Sequence, residues 1–167
     1  PFKSVKTPML KKGLKEFWTT GELNRIFEAE ESPAYRALWG LMAYAGLRFS
    51  EARNLQAQNA QNGIIRVING KGGKDAELPI SKKLAKLIEP YLKNDGLLIP
   101  KSEVPLRSSH AINELKVACG IARITKGEIS HHKLRHSFAS NLLREQTNAR
   151  TVQELMRHSS IDTLFSY

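Results

Sequence analysis

His131-His132-Lys133-Leu134-Arg135-His136-Ser137-Phe138-Ala139-Ser140 is the stretch on which the reading of this 167-residue chain turns. On a helix advancing about 100° per residue, Leu134, Phe138 and Leu142 share one stripe, while His132, Arg135 and His136 project from a different face. The pattern predicts a helix from His131 to Arg144, fixed to a core by its apolar stripe, with its basic face left free for something negatively charged. The planar fork of Arg135 suits two phosphate oxygens, and His132, one turn earlier, adds a further hydrogen bond. Taken alone, the same helix also reads as a solvated basic face with a satisfied core histidine. A zinc site is the weaker alternative: the metalloprotease pattern needs a glutamate directly after its first histidine, and Lys133 stands there, placing a positive charge where the metal would bind.

On either side of that stretch, local signals divide the chain into short elements. Residues 1–15 are basic, contain Pro8 and Gly13 and lack periodicity, so they read as a linker or arm from a missing N-terminal domain. Thr19-Thr20-Gly21-Glu22 has capping-box spacing and opens a first helix to about Glu31. Ser32-Pro33 starts a second helix, buried on most sides, that Gly46 stops after Ala45. Residues 50–55 read as a short helix. The β-branched run Ile64-Ile65-Arg66-Val67-Ile68 reads as a strand, and residues 76–80 return as its hairpin partner with Pro79 near the edge. Between them lies the basic glycine-rich loop Asn69-Gly70-Lys71-Gly72-Gly73-Lys74-Asp75. Helices are expected at 81–92, at 108–119 with Gly120 behind it, and at 150–157, and a last short one from Ser159 or Ser160 carries Tyr167. The fold class is mainly α with a small antiparallel β-hairpin or sheet, as one domain over residues 16–167.

Lysine and arginine total 26 against 16 aspartate and glutamate, a net charge of +10 that favours a polyanion such as nucleic acid or an acidic membrane surface. Membrane spanning is disfavoured, because the longest near-apolar stretch, 37–47, is about half the roughly 20 residues required. A lone cysteine, Cys119, forbids an internal disulfide and a cysteine-based zinc cluster, which suits a reducing cytoplasm. The loop at 69–75 lacks the lysine followed by Ser or Thr of a nucleotide-binding phosphate loop, so nucleotide hydrolysis is disfavoured.

Several blocks, in order, resemble the catalytic domain of the tyrosine recombinases, the phage-integrase and Xer-type family. Gly46-Leu47-Arg48-Phe49-Ser50-Glu51 is similar to the family's first-arginine motif, which implies Arg48 as a phosphate-clamping arginine and Glu51 as a buttressing carboxylate. Gly70-Lys71-Gly72-Gly73-Lys74 is similar to the hairpin that bears the catalytic lysine, implying Lys71, with Lys74 as the fallback. His132-Lys133-Leu134-Arg135-His136 matches the histidine/arginine block, carrying over His132 and Arg135 with His136 in support. Leu155-Met156-Arg157-His158-Ser159-Ser160 resembles the last histidine motif, and Tyr167, nine residues past His158, falls at the nucleophile. Two departures stand out: Arg157 occupies a usual glycine position, and Leu164-Phe165-Ser166 is less typical than the polar run common before the tyrosine.

The resemblance implies the tyrosine recombinase catalytic fold, truncated at or near the nucleophile. It implies a site-specific recombinase or integrase that cleaves and rejoins double-stranded DNA through a covalent 3′-phosphotyrosine, without metal or nucleotide cofactor. At full length it implies a homotetramer on paired DNA sites; the isolated fragment is expected to be a monomer, cytoplasmic and off the membrane. Lys11, Lys12, Lys82, Lys83, Arg107 and Arg123 are expected on DNA phosphates away from the cut. Two competing readings are a non-catalytic DNA-binding relative, motivated by the two departures, and a basic domain for membrane surfaces or RNA, which leaves the order of the motifs unexplained.

Overall fold

The computed structural model describes residues 16–68, 75–104 and 107–157. The described residues open with α1 (Thr20–Ala29), α2 (Pro33–Ala45) and α3 (Phe49–Arg53). Three antiparallel strands follow in the order β1 (Ala60–Gln61), β2 (Ile64–Val67), β3 (Ala76–Pro79), and then α4 (Lys82–Ile88), α5 (Ser108–Ile121), α6 (His131–Arg144) and α7 (Ala149–Met156). The architecture is mainly helical with one small sheet, as the pattern predicts.

The helix starts are where the side-chain chemistry places them. At Thr19 the hydroxyl accepts from the Glu22 amide at 3.3 Å and the Glu22 carboxylate accepts from the Thr19 amide at 2.8 Å, a complete capping box. Ser32 caps α2 ahead of Pro33. Gly46 ends α2 with φ of 66°, and a Cβ there would lie 2.6 Å from the Phe138 ring, so both the backbone and the packing require glycine. α2 is buried nearly all round and forms the spine against which α4 and α6 pack, while α1 packs on α5 and α7 on α6. Trp18, Ile26, Leu38, Trp39, Leu41 and Leu134 belong to the core, as does Cys119, whose thiol burial pushes up to about 11.

Some boundaries differ from expectation for physical reasons. α1 ends at Ala29 rather than Glu31, and α3 runs one residue earlier than predicted and stops at Arg53. α4 stops at Ile88 and tightens into a 3₁₀ turn over Glu89–Tyr91, because Pro90 has no amide to continue the α-helical ladder. α5 runs through Gly120 to Ile121, so that glycine is not the stop; the left-handed turn falls at Arg123, φ 54°. The hairpin gains a third strand, since Ala60 and Gln61 pair with Ile65 and Ile64. Pro79 lies on the outer strand, opposite Ile64, where its missing amide costs no ladder bond inside the sheet.

Among the described residues no helix is long and apolar enough to cross a membrane.

Candidate active site

Three elements meet at the carboxyl end of α2. After Gly46 the chain turns through Leu47 into α3, and Arg48 sits at the cap of that helix. The Glu51 carboxylate reaches back to it, accepting from the Arg48 amide at 2.7 Å and from Arg48 Nη1 at 2.9 Å. Arg48 keeps 32% of its side chain exposed, so its cationic edge meets solvent. The third element is the end of α7: Arg157 Nη2 donates to Glu51 Oε2 at 2.8 Å and to the Gly46 carbonyl at 3.3 Å. Burial alone would raise the Glu51 pKa. The bonds from the Arg48 amide and from the Arg157 and Arg48 guanidinium groups more than offset it, holding the carboxyl below its ordinary range.

Arg135 departs from expectation. Of the predicted apolar stripe of α6 only Leu134 is fully buried, Phe138 and Leu142 being partly buried against Val152 and Met156, and the face carrying Arg135 and His136 is not left free: Arg135 is 2% exposed and His136 5%. Arg135 donates from Nη1 to the Gly46 carbonyl and from Nη2 to the Met156 carbonyl. Those oxygens lie where α2 and α7 end, and carbonyls at helix ends lack intrahelical donors. The guanidinium therefore satisfies orphaned acceptors of two helices at once, and a cation that a helical wheel assigns to solvent becomes the tie between them. His136 is held edge-on to Phe17, the ring centroids 6.2 Å apart.

Only His132 of the predicted trio on α6 is exposed. It borders an open cleft of about 330 Å³ with Glu16, Glu128, Ser130, Lys133 and His136. Lys133 turns away from solvent: it is 6% exposed, donates to the Lys126 carbonyl and lies 5.0 Å from the centre of the Trp18 ring, and burial lowers its pKa. The structure thus gathers Arg48, Glu51 and Arg135 around the end of α2, with His132 on the first turn of α6. Lys71, Lys74, His158 and Tyr167 lie outside the described residues.

Three residues that the sequence reading gave no such role help shape this region. Arg53, 2% exposed, donates to the carbonyls of Ile99 at 2.9 Å and Val104 at 2.5 Å and pins the loop over α3. Nothing in the sequence marks it, because its acceptors are backbone atoms distant along the chain. Arg157, which the resemblance places at a usual glycine position, is the partner of Glu51. His131 lies flat on Phe49, centroids 4.2 Å apart at 11°, and joins the first turn of α6 to the first turn of α3.

Burial lowers the His131 pKa to about 4, so the imidazole is neutral in the folded protein near pH 7. Between the ordinary value of 6.5 and about 4, the unfolded chain takes up a proton that the folded chain refuses. Stability therefore falls as the solution is acidified, by about 2 kcal/mol at pH 4.5 from this histidine. Urea unfolding at pH 7 and pH 4.5 should show that loss, with a flatter profile for His131→Phe. Equal slopes for the two proteins would contradict the assignment.

With the geometry in hand, comparison with known proteins gives a consistent answer. Residues 16–167 match the model of the phage integrase family. The tyrosine recombinase XerC of Vibrio parahaemolyticus is 34% identical over 181 residues, covering all of this chain and 58% of that protein. Among solved structures, the XerA recombinase superimposes with a TM-score of 0.78 at 27% identity, over 93% of this chain and 61% of the other. The XerH site-specific recombinase bound to its difH substrate gives 0.76 at 24% identity, over 93% and 51%. The chain spans about six tenths of the length of the XerC relative it matches.

Proposed function

The chain belongs to the phage integrase family, and from that premise we propose that it is the strand-transfer domain of a site-specific DNA recombinase. In this reading the domain cuts one DNA strand with the Tyr167 hydroxyl, holds the 3′ end as a phosphotyrosine and passes it to a different 5′ hydroxyl. One contact supports the reading above all others: the Arg135 guanidinium bonded to the Gly46 carbonyl joins two motifs 89 residues apart in sequence. That contact brings the arginine of one motif against the other, which carries Arg48, as a shared phosphate site requires.

The chemistry follows from the residue types. A phosphodiester attacked in line passes through a more negative transition state, and fixed cations around it stabilise that state above the ground state. Of the two arginines Arg48 is the more exposed and so the first to meet a phosphate. Arg135 serves the site as found by holding the ends of α2 and α7; to act as the second phosphate ligand its cover at the end of α7 has to shift. His132 lies beside the open cleft and, with His158, supplies hydrogen bonds to phosphate oxygens and a proton acceptor for the tyrosine. That hydroxyl has an ordinary pKa of about 10 and must lose its proton as it attacks. Lys71, with Lys74 as its alternative, protonates the leaving 5′ oxygen. The phosphotyrosine ester retains the energy of the broken bond, so rejoining needs no nucleotide and the scheme assigns no step to a metal.

Residues 1–15 are the arm to a DNA-clamping domain in this proposal, and the assembly is a tetramer on two duplexes. The net charge of +10 supports contact with DNA phosphates on either side of the cut. The test is to incubate the protein at its full natural length with a pool of randomised duplexes, each nicked so that the short 5′-hydroxyl fragment escapes, in EDTA and without nucleotide. A protein–DNA adduct that survives denaturant and disappears with protease is expected; its absence at all protein concentrations would sink the proposal.

A further inference from the structure

Arg157 closes α7 with φ of 52° in the left-handed region, where a side chain carries a steric cost that glycine avoids. The arginine is nevertheless built into the fold: its side chain is 12% exposed and bridges Glu51 at 2.8 Å and the Gly46 carbonyl at 3.3 Å. Its Nε and Nη1 are buried with no hydrogen-bond partner among the described residues, and the contacts to Glu51 and Gly46 both run through Nη2. Glu51 divides its oxygens between the two arginines: Oε1 takes Arg48 Nη1, while Oε2 takes the Arg48 amide and Arg157. A glycine at 157 would permit the turn and leave the carboxylate held from one side only.

We infer that Arg157 is a positioning residue of the strand-transfer site: by gripping Glu51 it sets the orientation of Arg48 and couples that arginine to the end of α7. The inference rests on the reading given under Proposed function. Among the described residues, the charged groups that reach Glu51 are Arg48, from the cap of its own helix, and Arg157, from α7. Removing Arg157 leaves the carboxylate closer to its ordinary acidity and held by Arg48 alone, so both the rate and its dependence on pH should respond.

The experiment compares wild type, Arg157→Gly and Arg157→Lys at full natural length on the nicked duplexes described above. It records the melting temperature, DNA affinity, single-turnover cleavage rate and the pH profile of that rate. Arg157→Gly is expected to melt close to wild type, because relief of the left-handed backbone offsets the lost ion pair. Cleavage should nevertheless slow by roughly 10- to 100-fold with little change in affinity, the loss expected of a misoriented catalytic group. The acid limb of its pH profile should move upward, and Arg157→Lys, which keeps the charge without the fork, should recover part of the rate. An active wild type with Arg157→Gly equally fast, or slowed only in step with a collapsed melting temperature, overturns the inference alone. A wild type that forms no adduct overturns the strand-transfer reading and this inference with it.

Discussion

Arg135→Leu is expected to lower the free energy of unfolding by about 2–4 kcal/mol and the melting temperature by roughly 5–15 °C. Leucine occupies part of the same volume and removes a cation from an enclosed site, both of which favour the variant. Against this, the Gly46 and Met156 carbonyls lose their shared donor within the protein, and a buried acceptor left without one costs about 1–3 kcal/mol. The Gly46 oxygen keeps a weaker bond from Arg157, so the greater loss falls on Met156 and the end of α7. Limited proteolysis or hydrogen exchange should therefore register opening at α7 (Ala149–Met156) before the rest of the domain. Lysine cannot bridge two carbonyls as a fork does, and Arg135→Lys should fall between the two. A leucine variant that melts with wild type and keeps α7 protected would show that these bonds hold nothing together.

The second large effect is on chemistry rather than stability. Tyr167→Phe removes one oxygen atom, and with it the only group in the proposed scheme able to form the phosphate ester. No covalent adduct should form on the nicked duplexes, while affinity for the same DNA, which the proposal assigns to phosphate contacts spread over the surface, stays largely intact. Gel-shift and denaturing-gel measurements on one preparation separate the two quantities. An undiminished adduct in the phenylalanine variant would move the nucleophile elsewhere and overturn its assignment. Loss of both binding and adduct would instead mark Tyr167 as a structural residue.

Legibility of the sequence was uneven, and the division is physical. Caps and stops are local: Thr19, Ser32 and Gly46 act on amides and carbonyls within a few residues, and the elements they bound were predictable within a residue or two. The bounds of α6 follow in the same way from its apolar stripe. β1 escaped because Ala60 and Gln61 have no β-branched or aromatic character and pair only because β2 lies alongside. The destination of Arg135 escaped for a deeper reason. A helical wheel separates polar from apolar faces, but it holds no information about carbonyls presented by the ends of helices 89 and 21 residues away. Arg53 and Arg157 illustrate the same limit, since each is buried against acceptors that only the folded chain assembles. Motif order nominates the residues of the candidate site, whereas it holds nothing of how Arg48, Glu51, Arg135 and Arg157 grip one another in the fold.

Cys119, sealed in the core with its thiol acidity suppressed, is the sole cysteine of the chain. It is the thiolate that adds to maleimide dyes, so this buried thiol reacts very slowly under native conditions. An engineered cysteine on an outer helix face would then be the one position that takes a fluorophore, with no need to strip the native residue first. Distance measurements by single-molecule energy transfer within this chain can start from its unsubstituted sequence.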